Sequence, residues 1–369
     1  MELSPEQVRA IRIRAQKLEP RADRGALVET VRAVCGIQAQ LTPAMLLALR
    51  ARIHGLTLKD VQTAIDPDRQ LVRTWAMRGT LHLLPRDDVG WIVGLLGPVF
   101  AAKDKRRRLQ LGLTNDLCHE GLAAIGEILS EDGALTRGEL VERLAERGIV
   151  VERKSQAPIH LIAYAALEGI VCLGPDRPNG ESTYVYRDRW LGPQPAPDRD
   201  AALAELVRRY LDGYGPASRQ DFASWSGLSL AEAKKGWQLA NVEANYSEVR
   251  LGNLTLWMSK TVKHDSQQLS PVVRLLPAFD TYLLGYANRD QVVRPEHLSE
   301  VYHGGQIVPV VLVDGLAEGV WRYERKGKRL TISVRPFDAF DVEVQQGIAE
   351  EAEDIGRYFG SAVSVTTLS

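Results

Sequence analysis

Two glutamines separated by one small apolar residue, Gln38-Ala39-Gln40, form the most unusual polar group in the sequence. They lie between a helix predicted to end near Gly36 and a helix predicted to begin at Pro43. On a helix, residues two apart point about 200° apart, so the two amides could not converge. In an extended segment, which the proline favours just upstream, both amides point the same way and flank one spot, while Ala39 faces the core. Glutamines that simply cap the two helix ends are the alternative, and the spacing leaves it open.

The other reactive side chains match no familiar catalytic pattern. The seven histidines form no H-x-x-x-H pair, and the sequence has no HExxH, Gly-x-Ser-x-Gly, Walker or dinucleotide-binding motif. Its three cysteines are far apart and odd in number, which fits neither a disulfide framework nor a zinc site. We therefore expect no metal, no cofactor, a reducing, cytoplasmic setting, and structural roles for His82 and His160.

Basic residues are concentrated in two runs, Lys103–Arg108 and Arg322–Arg329, and Arg73 and Arg78 lie near a predicted wing. The formal net charge of the chain is -1, which excludes a protein that coats nucleic acid by bulk positive charge. However, the window 338–354 carries seven acidic residues and no basic one, so the rest of the chain has a formal charge of +6. Solvated surfaces are the common explanation for such runs, whereas beside DNA-binding modules phosphate contacts become the better interpretation.

The start of the sequence has no basic segment followed by an apolar one, so no signal peptide is predicted. The most apolar stretch, Trp91–Ala102, has 12 residues and contains Pro98, which is too short to span a bilayer. No membrane association is therefore expected.

The amino-terminal part predicts three short helices followed by a β-ribbon, the layout of a winged helix. The helices are expected at 24–34, with Gly36 as the C′ residue, at 43–53 after an N-cap at Thr42, and from about Thr57. Residues 71–84 fit either strand, turn and strand or a helix that runs into a strand.

A similar layout recurs twice, at a spacing of 82 residues. Gly133–Leu140 parallels Gly215–Phe222, and in each copy a hydroxyl residue and an acid three positions later predict a capping box. The first copy continues with a helix at 159–167 and strands at 170–173 and 183–186. The second continues with a helix at 230–239 and a hairpin at 247–258 that turns at Gly252-Asn253.

The proline-rich segment 191–198 and the polar segment 260–270 are predicted linkers. Beyond them the chain is rich in strands, expected at 272–276, 306–313, 319–323 and 330–334, and it closes with a helix at 342–358 and a short strand. The predicted fold class is thus α+β, with three tandem winged-helix modules and a C-terminal β-rich domain. The corresponding ranges are 1–110, 111–192, 199–262 and 270–369.

Eight segments together resemble the winged-helix DNA glycosylase superfamily of AlkZ-like and YcaQ-like proteins, over nearly the whole chain. The resemblance is carried by Gly36-Ile-Gln-Ala-Gln40, Leu49-Arg-Ala-Arg52, Leu71-Val-Arg-Thr-Trp-Ala-Met-Arg-Gly-Thr-Leu-His82, Ala165-Ala-Leu-Glu-Gly-Ile-Val-Cys172, Asp221-Phe-Ala-Ser-Trp-Ser-Gly227, Leu275-Leu-Pro-Ala-Phe-Asp-Thr-Tyr-Leu-Leu-Gly-Tyr286, Val311-Leu-Val-Asp-Gly315 and Gly319-Val-Trp-Arg322.

This resemblance implies that Gln38 and Gln40 form the catalytic motif of the AlkZ-type branch, in which the third position is glutamine and not aspartate. It implies a glycosylase with a concave DNA-binding surface that removes N-alkylated purines from double-stranded DNA and unhooks cross-links joined through guanine N7. Because the sequence indicates no lysine nucleophile, we expect a monofunctional enzyme. Because three modules lie in one chain, we expect it to act as a monomer, associated with the nucleoid. It also places a DNA-approaching hairpin at Tyr302–Gln306. The expected DNA-binding residues are Arg73, Arg78, Lys105, Arg106, Arg107, Arg108, His303, Gly304, Gly305, Arg325, Lys326 and Lys328.

Two other functions are compatible with tandem winged helices. A non-enzymatic transcriptional regulator would read an operator, but the predicted helix at 159–167 has almost no side chains suited to base edges. A drug-sequestering protein would bind a free alkylating agent without DNA.

Overall fold

The structure, a computed structural model, describes residues 1–194, 197–261 and 271–368. It mixes helices and strands, which confirms the predicted α+β class. The chain divides into two compact units, one of Met1–Gln62 with Ala204–Ser369 and one of Thr63–Leu203. Parts of both predicted linkers, 195–196 and 262–270, lie outside the described residues. The division into three winged-helix modules and a β-domain stays a prediction.

The elements follow one another in three groups. The amino-terminal group holds α1 (Pro5–Ala15), α2 (Leu27–Ala33), β1 (Ile37–Gln38), α3 (Thr42–Arg52) and α4 (Leu58–Ile65). The middle group holds β2 (Leu71–Trp75), β3 (Leu81–Pro85), α5 (Arg86–Gln110), α6 (Asn115–Asp132), β4 (Leu135–Thr136), α7 (Arg137–Glu146), α8 (Ala157–Leu167), β5 (Val171–Leu173), β6 (Thr183–Tyr186) and α9 (Arg187–Leu191). The last group holds α10 (Arg199–Tyr214), α11 (Arg219–Ser226), α12 (Leu230–Leu239), α13 (Val242–Asn245), β7 (Tyr246–Leu251), β8 (Leu254–Ser259), β9 (Val273–Leu276), α14 (Thr281–Leu284), α15 (Leu298–Val301), β10 (Tyr302–His303), β11 (Gln306–Ile307), β12 (Val310–Val313), β13 (Leu316–Lys326), β14 (Arg329–Pro336), α16 (Val342–Phe359) and β15 (Ala362–Thr367).

A five-stranded sheet in the order β15-β14-β13-β12-β9 forms the core of the first unit. Its neighbouring strands are antiparallel except β14 and β15, which are parallel and are connected through α16. The apolar face of α16, with Ile348, Ala352 and Ile355, packs on this sheet, and Leu47 of α3 joins the same core. The Asp341 side chain caps the start of α16 by accepting from the Val344 amide at 2.8 Å.

Two arginines of α3 are buried and paired with acids far away in the sequence. Arg50 donates to Glu351 Oε2 at 2.7 Å and to Asp354 Oδ2 at 2.9 Å, both on α16. Arg52 donates to both carboxylate oxygens of Asp280 at 2.8 Å each. Because a buried guanidinium is costly unless it is paired and hydrogen-bonded, these contacts fix α3 in one position against the C-terminal part of the unit.

The second unit is built around antiparallel hairpins and a long helix. β2 pairs with β3 from Leu71↔Pro85 to Trp75↔Leu81, so the strand-turn-strand alternative for this region is correct. Helix α8 and strands β5 and β6 follow one another as the sequence predicts for its second module. Strand β4, between α6 and α7, was not predicted and completes a three-stranded sheet in the order β4-β6-β5. α5 and α8 approach closely at Gly97, where a Cβ would lie 1.9 Å from the Leu167 carbonyl oxygen, so only glycine fits.

Most predicted element boundaries are confirmed, including both capping boxes, at Thr136 and Ser218. Three predictions are wrong in detail. The strand at 306–313 is two strands interrupted at Val308-Pro309, because β11 pairs with β10 whereas β12 pairs with β9 and β13. The predicted N-cap of α3, Thr42, is instead the first residue of the helix, and the N-cap is Leu41. The C′ residue of α2 is Cys35 and not Gly36, as described below.

The first prediction concerns the Arg52–Asp280 pair. Asp280→Asn keeps the shape of the side chain and removes its charge, which leaves a buried guanidinium uncompensated. We expect it to lower the free energy of unfolding by about 3–5 kcal/mol, measured by urea denaturation. Arg208→Ala breaks the exposed pair with Glu205 and should change the denaturation midpoint little. Equal effects of the two substitutions would contradict the assigned role of the buried pair.

The second prediction concerns His82 in β3, which is buried as expected and whose Nδ1 lies 2.9 Å from the Thr80 carbonyl oxygen. Burial, together with the charge of Arg78, lowers the pKa of His82 to about 3, whereas an unfolded histidine has a pKa of about 6.5. Below pH 6.5 the unfolded chain therefore binds a proton that the folded chain does not bind. The contribution of His82 therefore lowers the free energy of unfolding by about 1.4 kcal/mol for each pH unit as the pH falls from 6.5 to about 3.

Unfolding free energies at pH 7.5 and pH 5.0 test this assignment. From pH 7.5 to pH 5.0 the free energy of unfolding should decrease in both proteins. We expect this decrease to be about 2 kcal/mol smaller in His82→Gln than in the wild type. His119→Gln, which replaces an exposed histidine, serves as the matched control and should behave as the wild type. The same loss in all three proteins would show that His82 does not titrate in this way.

Candidate active site and nucleic-acid interface

The segment Gln38-Ala39-Gln40 connects α2 to α3 and is not part of either helix. Gln38 ends the two-residue strand β1, and Gln40 lies in a bend just before α3. Ala39 is buried at 2% exposure, so it faces the interior as predicted. The end of α2 is closed by backbone amides and the N-cap residue of α3 is Leu41, so neither glutamine occupies a cap position. That the two amides converge on one spot stays a prediction.

The course of this segment is set by the way α2 ends. After the C-cap Val34, Cys35 has a φ of +53° and Gly36 a φ of +96°. The Cys35 amide donates to the Arg32 carbonyl at 3.0 Å, and the Gly36 amide donates to the Val31 carbonyl at 2.9 Å. This pair of hydrogen bonds is a Schellman motif in which cysteine occupies the C′ position that glycine usually takes. The turn sends the chain directly into β1 and Gln38.

The Gln38 side chain is only 7% exposed. In the described residues, neither its amide oxygen nor its amide nitrogen has a hydrogen-bond partner in the protein. Neither amide atom is among the fully buried polar atoms that lack a partner, so the small exposed part of the side chain includes its amide. Gln40 is exposed on the same segment and interacts with another group of the protein. The segment therefore presents one neutral donor and acceptor group that is available to a ligand.

The cysteines and His160 show no arrangement typical of a catalytic centre within the part of the chain that the structure describes. Cys35, Cys118 and Cys172 are buried and form no disulfide, and burial raises the pKa of Cys172 to about 12. No group of three His, Cys, Asp or Glu side chains within 1–194, 197–261 and 271–368 could hold a metal ion. His160 is partly buried beside Asp104, with Nδ1 2.9 Å from Oδ2. These side chains have structural surroundings and offer no nucleophile.

The predicted hairpin around residues 302–306 is present. β10 and β11 pair through Tyr302↔Ile307 and His303↔Gln306, and the two loop residues Gly304 and Gly305 have φ values of +55° and +79°. Positive φ at both loop positions is typical of a type I′ turn, which glycine adopts without strain. The tip, including His303, is exposed, so the hairpin could contact a large ligand.

Two residues that the sequence analysis did not single out contact Tyr302 at the base of this hairpin. The guanidinium of Arg289 lies 3.8 Å from the centroid of the Tyr302 ring, and the Tyr302 hydroxyl donates to the Leu283 carbonyl at 2.8 Å. No local pattern indicates these contacts, because they join residues about 13 and 19 positions apart in irregular segments.

The first basic run forms the last turns of α5. Lys105, Arg106 and Arg107 are exposed, and Arg107 donates to Gln156 Oε1 at 2.7 Å. Arg108 differs from them, because its guanidinium is buried and stacks on the Tyr164 ring at 3.8 Å. The expectation that Arg108 contacts DNA is therefore wrong, since its side chain is part of the interior of the second unit.

The second basic run forms the hairpin between β13 and β14. Lys326 pairs with Arg329 across the two-residue loop Gly327-Lys328, in which Gly327 has a φ of +59°. This is the predicted turn, and it leaves Arg325, Lys326 and Lys328 exposed. The tip of this hairpin is thus a compact basic surface.

The two arginines near the first predicted wing have different surroundings. Arg73 in β2 is 4% exposed and forms an ion pair with Asp176, so the expectation that it contacts DNA is also wrong. Arg78 is half-buried in the turn between β2 and β3, where its φ is +56°, and its role stays a prediction.

Three comparisons with known proteins agree with one another. A family model described as DNA glycosylase AlkZ-like matches residues 31–358. An interstrand DNA cross-link repair glycosylase of Streptomyces sahachiroi is 30% identical over 371 residues, which cover 98% of each chain. The solved structure of the Streptomyces sahachiroi DNA glycosylase AlkZ superposes with a TM-score of 0.83 at 27% identity, over 100% of both chains.

The helices of the described residues include none with the length and apolar character that a membrane span requires.

Proposed function

The chain belongs to the AlkZ-like DNA glycosylase family, and from this premise we propose that it hydrolyses the N-glycosidic bond of cationic N-alkylated purines, of the N7-alkylguanine type, in duplex DNA. The observation that carries the proposal is the nearly buried amide of Gln38, which has no protein partner among the described residues. Gln38 and Gln40 are the proposed catalytic residues, and the reaction needs no metal or cofactor.

The chemistry of the substrate explains why neutral amides suffice. An N7-alkylated guanine carries a positive charge, so its C1′–N9 bond is weak and the base leaves without being protonated. As that bond breaks, its electron pair neutralises the base, and the sugar passes through an oxocarbenium-like state. Water then forms the new bond to C1′ and releases a proton, which leaves an abasic site and a neutral alkylated base.

The proposed role of the glutamines is to position this water and the sugar. A glutamine carbonyl oxygen accepts a hydrogen bond from water, while its NH₂ group donates to a phosphate or sugar oxygen. Orientation and a suitable electrostatic environment contribute to the rate without a strong base. A carboxylate at either position would also stabilise the positive charge of the oxocarbenium ion. Cleavage of unmodified, neutral bases would need this extra stabilisation. The amide pair therefore favours labile, cationic lesions over normal nucleotides.

Interstrand cross-links joined through guanine N7 contain the same cationic linkage on each strand. The relative from Streptomyces sahachiroi is named an interstrand DNA cross-link repair glycosylase. We extend this activity to the present chain, with release of one linked base freeing the two strands. In this proposal water and not a lysine attacks the sugar, so the enzyme is monofunctional.

DNA binding is assigned to exposed groups only. These are Lys105, Arg106 and Arg107 on α5, the β13–β14 hairpin with Arg325, Lys326 and Lys328, and the β10–β11 hairpin with His303, Gly304 and Gly305. Phosphate contacts of this kind fix position and register without reading sequence, which suits an enzyme that must find lesions in any context. Tandem winged-helix modules that grip one duplex as a monomer complete this proposal.

The third prediction concerns base release. In a single-turnover assay on duplex containing N7-methylguanine, corrected for spontaneous release, the wild type should release the base. Gln38→Ala should lower the rate by about 10²-fold or more, which is the effect of removing one preorganised hydrogen-bonding group from an active site. Gln38→Ala with Gln40→Ala should approach the spontaneous rate.

Gln346→Ala, which replaces an exposed glutamine on α16, is the matched control and should keep the wild-type rate. A cross-linked duplex assayed beside the monoadduct reports whether the same residues unhook cross-links. No release by the wild type, or full activity of the double variant, would refute the proposed function.

The fourth prediction concerns the salt dependence of DNA affinity. Lys105→Gln with Arg106→Gln should reduce the slope of log K against log[salt] by about 0.9 for each phosphate that the variant no longer neutralises. Arg108→Gln removes one positive charge from the same helix, but from a buried position, and should leave the slope unchanged. Fluorescence anisotropy titrations of DNA at about 50–200 mM salt measure the slopes of both variants and of the wild type. A larger effect of Arg108→Gln would contradict the assignment of DNA binding to exposed groups.

A further inference from the structure

The end of α2 is held in place by a second element, α10, which is distant in the sequence. The carbonyl of Val34 is the C-cap carbonyl, which no helical amide can satisfy. It accepts a hydrogen bond from the Tyr214 hydroxyl at 3.0 Å, and Tyr214 is fully buried. This contact lies one residue before the positive-φ turn at Cys35 and four residues before Gln38.

The backbone of α10 also approaches the same turn closely. A Cβ on Gly213 would lie 2.5 Å from the Ala33 carbonyl oxygen and 3.4 Å from the Val34 Cα. Only glycine allows this approach, because a side chain would push α2 away. The Gly213 carbonyl in turn accepts from Gln16 Nε2 at 2.6 Å, so the α10 side of the contact is itself fixed.

Tyr214 has little freedom to move. Its ring stacks on Tyr210 with the centroids 5.0 Å apart, and it packs against Trp225 at 5.2 Å. Its backbone carbonyl accepts from the Tyr286 hydroxyl at 3.0 Å. A Cβ on Gly285 would lie 2.6 Å from the Tyr214 Cδ1 atom. The phenol is therefore a rigid donor aimed at one carbonyl.

We infer that Tyr214 is a positioning residue for Gln38: its hydroxyl fixes the Schellman turn at Val34-Cys35, and this turn directs the Gln38 amide. The inference rests on the proposed function, because it assumes that the direction of Gln38 matters for base release. The turn needs such support, since cysteine is strained at a φ of +53° and the local sequence does not dictate this geometry. Tyr214 does not touch the substrate.

The fold supplies matched controls for this role. Tyr210 and Tyr282 are also fully buried, and each donates its hydroxyl to a backbone carbonyl, of Gly285 at 2.8 Å and of Gly315 at 2.7 Å. Tyr210→Phe and Tyr282→Phe thus remove the same kind of hydrogen bond from the same unit as Tyr214→Phe does, but not at the end of α2. A merely structural role predicts similar effects for all three variants.

The fifth prediction compares these variants in the base-release assay. Tyr214→Phe should lower the single-turnover rate by about 10-fold to 100-fold, as small misplacements of a catalytic group do, with unchanged affinity for lesion-free duplex. Tyr210→Phe and Tyr282→Phe should lower the denaturation midpoint similarly and keep the wild-type rate. Combined with Gln38→Ala, Tyr214→Phe should lower the rate little further, because both substitutions act through one group.

Thiol labelling gives a readout that does not depend on activity. Cys35 lies in the turn and is 3% exposed, so loosening the turn should expose it. Peptide-resolved mass spectrometry after alkylation should show faster modification of Cys35 in Tyr214→Phe than in the wild type or in Tyr210→Phe.

The outcomes separate the inference from the proposed function. If the wild type releases no base, or if Gln38→Ala with Gln40→Ala keeps full activity, the proposed function fails and the inference fails with it. Full activity of Gln38→Ala alone overturns the inference and leaves the glycosylase activity standing. If Gln38→Ala loses activity but Tyr214→Phe matches the two control tyrosine variants in both rate and Cys35 labelling, the inference alone is overturned.

Discussion

The burial of two arginines on α3 is the constraint on which the first unit depends. Arg50 and Arg52 are fully buried, and each needs anionic partners because an unpaired buried charge costs several kcal/mol. Those partners, Glu351, Asp354 and Asp280, lie more than 220 positions further along the chain. Since replacing such pairs with apolar residues is often neutral for stability, their contribution is to fix where α3 lies, and the motif Leu49-Arg-Ala-Arg52 keeps the amino-terminal helices in register with the C-terminal sheet.

The glutamine segment is therefore held at both ends. Helix α3 follows it and is anchored by the two arginines, while α2 precedes it and ends against Tyr214 and Gly213 of α10. Only a few residues lie between these fixed points, so the backbone at Gln38 has little freedom. Orientation is what a neutral amide has to offer, because it cannot accept a proton at neutral pH. The buried contacts of the unit thus supply the fixed orientation on which a neutral amide depends.

Local signals in the sequence predicted much of the fold, and long-range contacts account for what they missed. The capping boxes at Thr136 and Ser218 and the turn at Gly252-Asn253 were predictable because the residues involved form the hydrogen bonds or adopt the φ values themselves. The C′ role of Cys35 was not, because a cysteine does not favour positive φ and the contacts at this turn come from α10, about 180 residues away.

The same distinction applies to the candidate site. The position of Gln38 and Gln40 between two helices followed from helix-end signals, and the inward direction of Ala39 followed from alternation. The burial of Arg73 and Arg108 did not follow, because their partners Asp176 and Tyr164 are distant in the sequence.

The charge balance shows how burial changes an argument made from composition. The acidic window 338–354 looks like a separate counterweight to a basic remainder, yet Glu351 and Asp354 are partners of the buried Arg50. The same two acids also pair with Arg21, so two carboxylates and two guanidinium groups lie together and their charges offset one another within the unit. Because salt screens exposed charges beyond about 8–10 Å, the charges that DNA can sense are the exposed side chains nearest its phosphates. Among the described residues, two groups of adjacent exposed basic side chains lie at the end of α5 and at the tip of the β13–β14 hairpin.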